Sequence, residues 1–232
     1  MDEVVFWGIA YACLLVATGA YLVVLWKGMD VAALVGRLTG ALGAVLMTTG
    51  LILRLARTGR WFLAGSGEIA VAAVMVAVIV FLGLERWRGL RGDGAGVFLL
   101  AVLLDSFALW SLVIRGEGDI PLVAGGGDVL VPLRVALDVV AYGCLLAGGG
   151  VGLVRAIPAR WPVAGRPSAD ALDAEAWRAF AWGVSALSGG LVIGALAAYL
   201  AGLSLWSPES GLLWSMAVWA VCGGVVAVRR SG

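Results

Sequence analysis

Long apolar runs alternate with short polar or Gly/Pro-rich stretches seven times along this chain. The runs cover about 4–26, 32–53, 67–84, 95–114, 131–154, 178–203 and 211–228. At about 1.5 Å of rise per residue, each can cross a hydrocarbon core of about 30 Å as a helix. The third and seventh runs are the shortest, so a tilted or re-entrant path is open to them. The pattern predicts an all-α, polytopic transmembrane bundle of about seven spans, with residues 1–232 forming a single integral membrane domain. The longest polar connections are 115–130 and 155–177. The first is Gly-rich and acidic, with Glu117, Asp119 and Asp128. The second carries Pro158, Pro162 and Pro167 and predicts a surface loop leading into a short interfacial segment.

Basic residues orient such a bundle, because they stay on the cytoplasmic side. With the N-terminus outside, Lys27, Arg86, Arg88, Arg91, Arg155, Arg160, Arg166, Arg178, Arg229 and Arg230 fall inside. Arg54, Arg57, Arg60 and Arg115 fall outside. Ten against four predicts N-out and C-in, with the 54–60 cluster dissenting. Trp26, Trp61, Trp87, Trp161, Trp177 and Trp206 lie near span ends, as interfacial anchors do. Arg37, near the cytoplasmic end of span two, reads as a snorkelling anchor. Asp2 and Glu3 stand where a cleavable signal peptide carries positive charge, and the first run is longer than a signal core. Compact loops point to a prokaryotic cytoplasmic (inner) membrane, crossed several times.

Composition adds exclusions. Charged residues are only 13% of the chain, about half of what a soluble domain carries. Net charge is +1, which gives a nucleic-acid partner no electrostatic footing. The 35 glycines suit close helix packing in lipid. Gly36 with Gly40, and Gly190 with Gly194, form small-xxx-small faces, although frequent glycine produces such pairs by chance. Cys13, Cys144 and Cys222 sit singly in apolar runs and form no CxxC pair, so they read as buried thiols. The chain contains no histidine, the residue that most often ligates heme or zinc and relays protons near neutral pH. There is no phosphate-binding loop after a strand, no HExxH, no paired catalytic carboxylates and no nucleophile with a base. Gly125 to Gly127 and Gly148 to Gly150 lack the strand–loop–helix setting of a phosphate cradle. An independent enzyme is not expected.

Asp105, Arg134 and Asp138 stand out among the ionisable residues within the spans. A charge at the bilayer centre costs about 3 kcal/mol on insertion scales, so each should face a partner or water. Arg134 and Asp138 are four apart on one helix face. They can neutralise each other near the outer end of span five, bind an anionic group such as a carboxylate, or contact a partner subunit. Asp105 can answer Arg134 across helices or bind a proton.

The last third has a recognisable order. Leu172 and Asp173, then Trp177 and Arg178, precede a long helix running through Gly194 to Ala198. An outer loop follows with Leu205, Trp206, Ser207, Pro208, Glu209 and Ser210. A helix with Trp214 and Trp219 then ends at Arg229. Upstream, Arg57 leads through Gly65, Ser66 and Gly67 to Glu68, and span five runs from Arg134 through Asp138 to Tyr142 and Gly143. In order and spacing, residues of about 50–230 resemble the cytochrome c assembly family, membrane proteins of the CcsA, ResC and HemX type.

The resemblance implies a helical scaffold, cytochrome c partners and heme held on the outer side by two histidines flanking a tryptophan-rich loop. Here the first histidine position falls on Arg134. The second falls near Ala227, at the cytoplasmic end in this topology. The loop retains Trp206, Pro208 and Glu209 but loses most of its tryptophans and its Asp. The expected ligand or partner contacts are therefore Arg134, Asp138, Asp105, Glu68, Trp206, Pro208 and Glu209, with no catalytic and no metal-binding residues.

No intrinsic cofactor is expected, and heme only with ligands from another chain. The expected partners are the lipid bilayer and other membrane subunits, a cytochrome c among the candidates. The expected function is a non-catalytic scaffold or anchoring subunit for a cytochrome c or a membrane redox complex. One alternative is active heme handling in cytochrome c biogenesis, with ligands from a partner or from Met47, Met75 or Met216. These methionines are scattered and read first as packing. The other is a small transporter or proton channel using Asp105, Arg134 and Asp138, although no inverted repeat is visible.

Overall fold

Seven helices account for the secondary structure in a computed structural model that describes residues 3–59, 63, 65–88, 93–113, 129–157, 168–200, 202 and 212–231. They are α1 (Glu3–Lys27), α2 (Asp30–Thr58), α3 (Ser66–Arg88), α4 (Gly94–Val113), α5 (Leu130–Arg155), α6 (Ala169–Leu200) and α7 (Leu212–Ser231). Six of them, α1 to α6, are long and apolar enough to cross a membrane. In α7 the apolar stretch is the shorter Ser215–Val226, so the described residues supply six candidate spans where the sequence pattern suggested seven. The third run is no longer in question on length, since α3 has 23 residues.

Local chemistry sets the boundaries. The chain reverses between α1 and α2 at Gly28, whose φ of 66° is left-handed and free of steric cost only for glycine. Gly28 N donates to Val24 O at 2.8 Å, closing the end of α1. Gly59, also at φ 66°, terminates α2 in the same way. α6 begins about nine residues before the hydropathy pattern suggests. Ser168 Oγ accepts from Ala171 N at 3.3 Å and so caps a polar first turn that hydropathy alone excludes.

Successive helices run antiparallel, which gives the bundle a Glu3 end and a Lys27 end. The most extensive pairings are α5 with α6 and α1 with α2, while α3 and α4 sit between these pairs and α7 rests mainly on α6. α2 turns Gly36, Gly40, Gly43 and Gly50 inward. Its bulky residues Leu38, Val45 and Ile52 point outward, each about 60% exposed. Aliphatic side chains facing outward and glycines facing inward suit a lipid environment, where burying apolar side chains brings no gain over leaving them in the acyl chains.

The glycines make room for neighbouring rings and backbones. A Cβ on Gly36 or on Gly94 would fall within 2.8 Å of the Tyr21 ring, and one on Gly40 would fall 2.5 Å from Phe98. Tyr21 stacks on Phe98 with centroids 5.1 Å apart, and Phe81 meets both rings edge-on. These close approaches lie inside the chain, so Gly36 and Gly40 serve packing within the chain. A Cβ on Gly190 would lie 2.7 Å from Asp138 Oδ1, so that glycine also meets another helix of this chain.

Candidate functional site

Polar side chains gather in three places, and a fourth is a solitary carboxylate. At the Glu3 end, Arg54 from α2 is buried between α1 and α3. Its Nε pairs with Glu68 Oε1 and its Nη1 lies 3.4 Å from Glu3 Oε1. Its guanidinium carbon sits 5.7 Å from the centre of the Trp7 ring. Arg57 also reaches Glu3. Glu68 is fully buried and accepts a bond from Gly65 N at 3.3 Å, which fixes the first turn of α3. Arg54 and Arg57, two of the three arginines of the dissenting 54–60 cluster, are thus held by the carboxylates of Glu3 and Glu68, and Arg60 lies outside the described residues. Glu68 belongs to the ion-pair network of this end, which ties α1, α2 and α3 together.

On α5, Arg134 Nε lies 3.5 Å from Asp138 Oδ2, so the two residues pair within the helix as their spacing predicts. Asp138 Oδ1 is buried against Gly190 of α6 with no hydrogen-bond partner. One turn further on, Tyr142 Oη meets Ser215 Oγ of α7 at 3.5 Å. Trp219 of α7 donates from Nε1 to Ser188 Oγ of α6 at 2.9 Å. A polar stripe therefore marks the junction of α5, α6 and α7 toward the Glu3 end.

Asp105 sits near the middle of α4 and is 1% exposed, and neither carboxylate oxygen has a hydrogen-bond partner. It does not pair with Arg134, which answers Asp138. The neighbouring Ser106 bonds Tyr11 of α1 at 3.1 Å and Val102 O at 2.7 Å, so the polar contacts of this turn go to the serine.

The Lys27 end holds groups that the span pattern did not single out. Tyr21 Oη donates to Glu85 Oε2 at 2.6 Å, and Arg37 Nε lies 2.9 Å from Glu85 Oε1. Arg37, whose side chain stays 39% exposed, is therefore also the ion-pair partner of a buried carboxylate. Glu175 pairs with Arg178 at 3.0 Å, and Arg155 bridges from α5 to Asp173 at 3.2 Å. Trp177 stacks near Phe180 at 5.7 Å and receives the Arg229 guanidinium at 4.4 Å. Asp173 and Trp177, which helped carry the family resemblance, here connect α6 to α5 and to α7, and Arg178 pairs within α6. The sequence places Arg37 near the start of run two and Glu85 just past the end of run three, which reads as two hydrated span-end charges.

Trp206, Pro208 and Glu209 lie outside the described residues. Among the described residues, no group of three or more His, Cys, Asp or Glu side chains is placed to hold a metal ion. Met47 is buried in the core, and Met75 Sδ accepts from Thr48 Oγ1 at 3.0 Å, so both are packing residues. Met216 lies apart from them on α7. Arg134, at the first histidine position of the resemblance, does not fit as an axial heme ligand. A guanidinium is always protonated and has no lone pair for iron, and Arg134 is already engaged with Asp138. No protein-family model, characterised protein or solved structure matches this chain.

Proposed function

We propose that this protein is a membrane scaffold of the cytochrome c assembly type that has given up heme ligation. It would anchor a cytochrome c or a membrane redox complex in a prokaryotic inner membrane, with its N-terminus outside. The observation that carries this reading is the Arg134–Asp138 pair. It stands where the family resemblance places a histidine, and it closes that position to iron while keeping a charged group there. The ion-paired Glu68 and the bridging Asp173 and Trp177 support it, because these resembling residues hold helices together.

The test is to purify the protein in detergent, alone and with its native partners, and to record absorption spectra with mass spectrometry. The scaffold reading expects a stable set of cytochrome or quinone-oxidoreductase subunits and no heme band on the isolated chain. A stoichiometric heme band on the isolated chain would sink it. A second reading, a small proton or solute transporter, is favoured by Asp105, a buried carboxylate without a partner. Loss of proton or solute flux in liposomes on Asp105→Asn would put that reading first.

A further inference from the structure

Three carboxylates from three elements are buried at the Lys27 end: Glu85 near the end of α3, Asp93 just before α4, and Glu175 in the first turns of α6. Two of them have a guanidinium. Arg37 answers Glu85, and Arg178 answers Glu175. Asp93 has neither cation nor donor among the described residues. It is 1% exposed, and its Oδ1 is buried without a hydrogen-bond partner.

Packing holds Asp93 in place. The next residue, Gly94, lies against the Tyr21 ring so closely that a Cβ would come within 2.5 Å of it. That same tyrosine donates its hydroxyl to Glu85. Two residues further on, Gly96 abuts Gly150 O of α5, where a Cβ would fall 2.0 Å away. The start of α4 is thus clamped between α1 and α5, which fixes the backbone beside Asp93.

Among the described residues, the ion-paired groups around this junction answer one another and leave no cation for Asp93. The groups are Tyr21 from α1, Arg37 from α2, Glu85 from α3, Arg155 from α5, and Asp173, Glu175 and Arg178 from α6. Arg155 and Asp173 cancel, as do the other two pairs. Asp93 then remains as one uncompensated buried charge, a costly state that one bound proton removes.

We propose that Asp93 is a proton-binding site, at which one proton from solvent neutralises a buried carboxylate at the start of α4, on the end of the bundle that also buries Glu85 and Glu175. Burial first, then the negative charges of Glu175 and Glu85, push its carboxyl up to about 7. Proton occupancy therefore changes across the neutral range. The ionised form repels Glu175 and so loosens the first turns of α6, and the protonated form lets them seat. This goes beyond the scaffold reading and stands whether or not that reading holds.

The test is infrared difference spectroscopy of the full chain in nanodiscs while pH is stepped across the neutral range. The expected result is a protonated-carboxyl band that bleaches with a midpoint near 7. Measured in the Asp105→Asn background, which removes the other buried carboxyl without a partner, Asp93→Asn should remove that band. Glu175→Gln removes a neighbouring negative charge and should lower the midpoint by roughly one pH unit. A band that survives Asp93→Asn, or a midpoint in the ordinary carboxylate range of about 4, overturns the proposal. Should Asp93→Asn fail to fold, the Glu175→Gln midpoint decides, and an unmoved midpoint also overturns it.

Discussion

Arg54 of α2 pairs with Glu68 of α3, and both side chains are buried. Glu3 and the Trp7 ring close the remaining sides of the guanidinium. Removing one partner of a buried pair leaves the other as an uncompensated charge, which typically costs about 3–5 kcal/mol. Glu68→Gln should therefore lower the melting temperature markedly. The double variant Arg54→Met with Glu68→Gln should lose less than the two single changes summed. Thermal unfolding in detergent checks both, and additive losses would show that the pair is not coupled.

Gly96 and Gly8 give opposite expectations for the same substitution. Alanine at Gly96 would drive its Cβ into the backbone of α5 at Gly150, where neither helix has a flexible side chain to move. Gly96→Ala should destabilise the bundle or prevent its assembly. Gly8 has nothing within 4 Å of its Cβ position, so Gly8→Ala should be neutral or gain about 0.5–1 kcal/mol from helix propensity. Expression and melting temperature of the two variants, side by side, check the contrast.

Stability should fall as pH rises through neutrality. Asp93 has its folded-state value raised to about 7, above that of an unfolded aspartate. Its contribution is therefore fully present below the unfolded value of about 3.9 and is lost as pH passes through the folded one. A melting-temperature profile of the wild type should decline across that window, and Asp93→Asn should flatten the decline. A profile that is identical in the two proteins would contradict this.

Asp105→Leu should raise stability. Both oxygens of Asp105 are buried without a hydrogen bond, so an apolar side chain of similar size removes a desolvation cost of about 1–3 kcal/mol and breaks no bond. A large loss of stability would mean that the carboxyl has a partner in the membrane. Unchanged folding with lost transport would instead favour the second functional reading.

Arg134→Gln should destabilise more than Asp138→Asn. The first leaves Asp138 charged and facing Gly190, whereas the second leaves an arginine that can extend toward the headgroups. Melting temperatures in nanodiscs check the ranking, and the reverse order would locate the main partner of Arg134 elsewhere.

The helices were legible in the sequence because an apolar run of span length leaves the backbone few other ways to satisfy its hydrogen bonds in lipid. The pairing of Arg134 with Asp138 was also legible, since four residues on a helix is a contact distance. The early start of α6 was hidden, because its first turns carry Asp170, Asp173 and Glu175 and fail any hydropathy threshold. The Lys27 cluster was hidden for a different reason. Tyr21, Arg37, Glu85 and Asp93 are separated along the chain, and only the packing of four helix ends brings them together. Charges at span ends are ordinarily hydrated, so Glu85 and Arg37 looked like surface residues until the fold buried the carboxylate.

The inward glycines and outward aliphatics of α2 reverse the usual map of mutational tolerance. Exchanges among Leu, Ile and Val on its outer face alter little, because lipid accepts them all. One methyl group on the inner face displaces a neighbouring ring. A saturation scan of α2 should therefore sort positions by permitted volume and not by hydrophobicity, and its least replaceable residues should be the smallest ones.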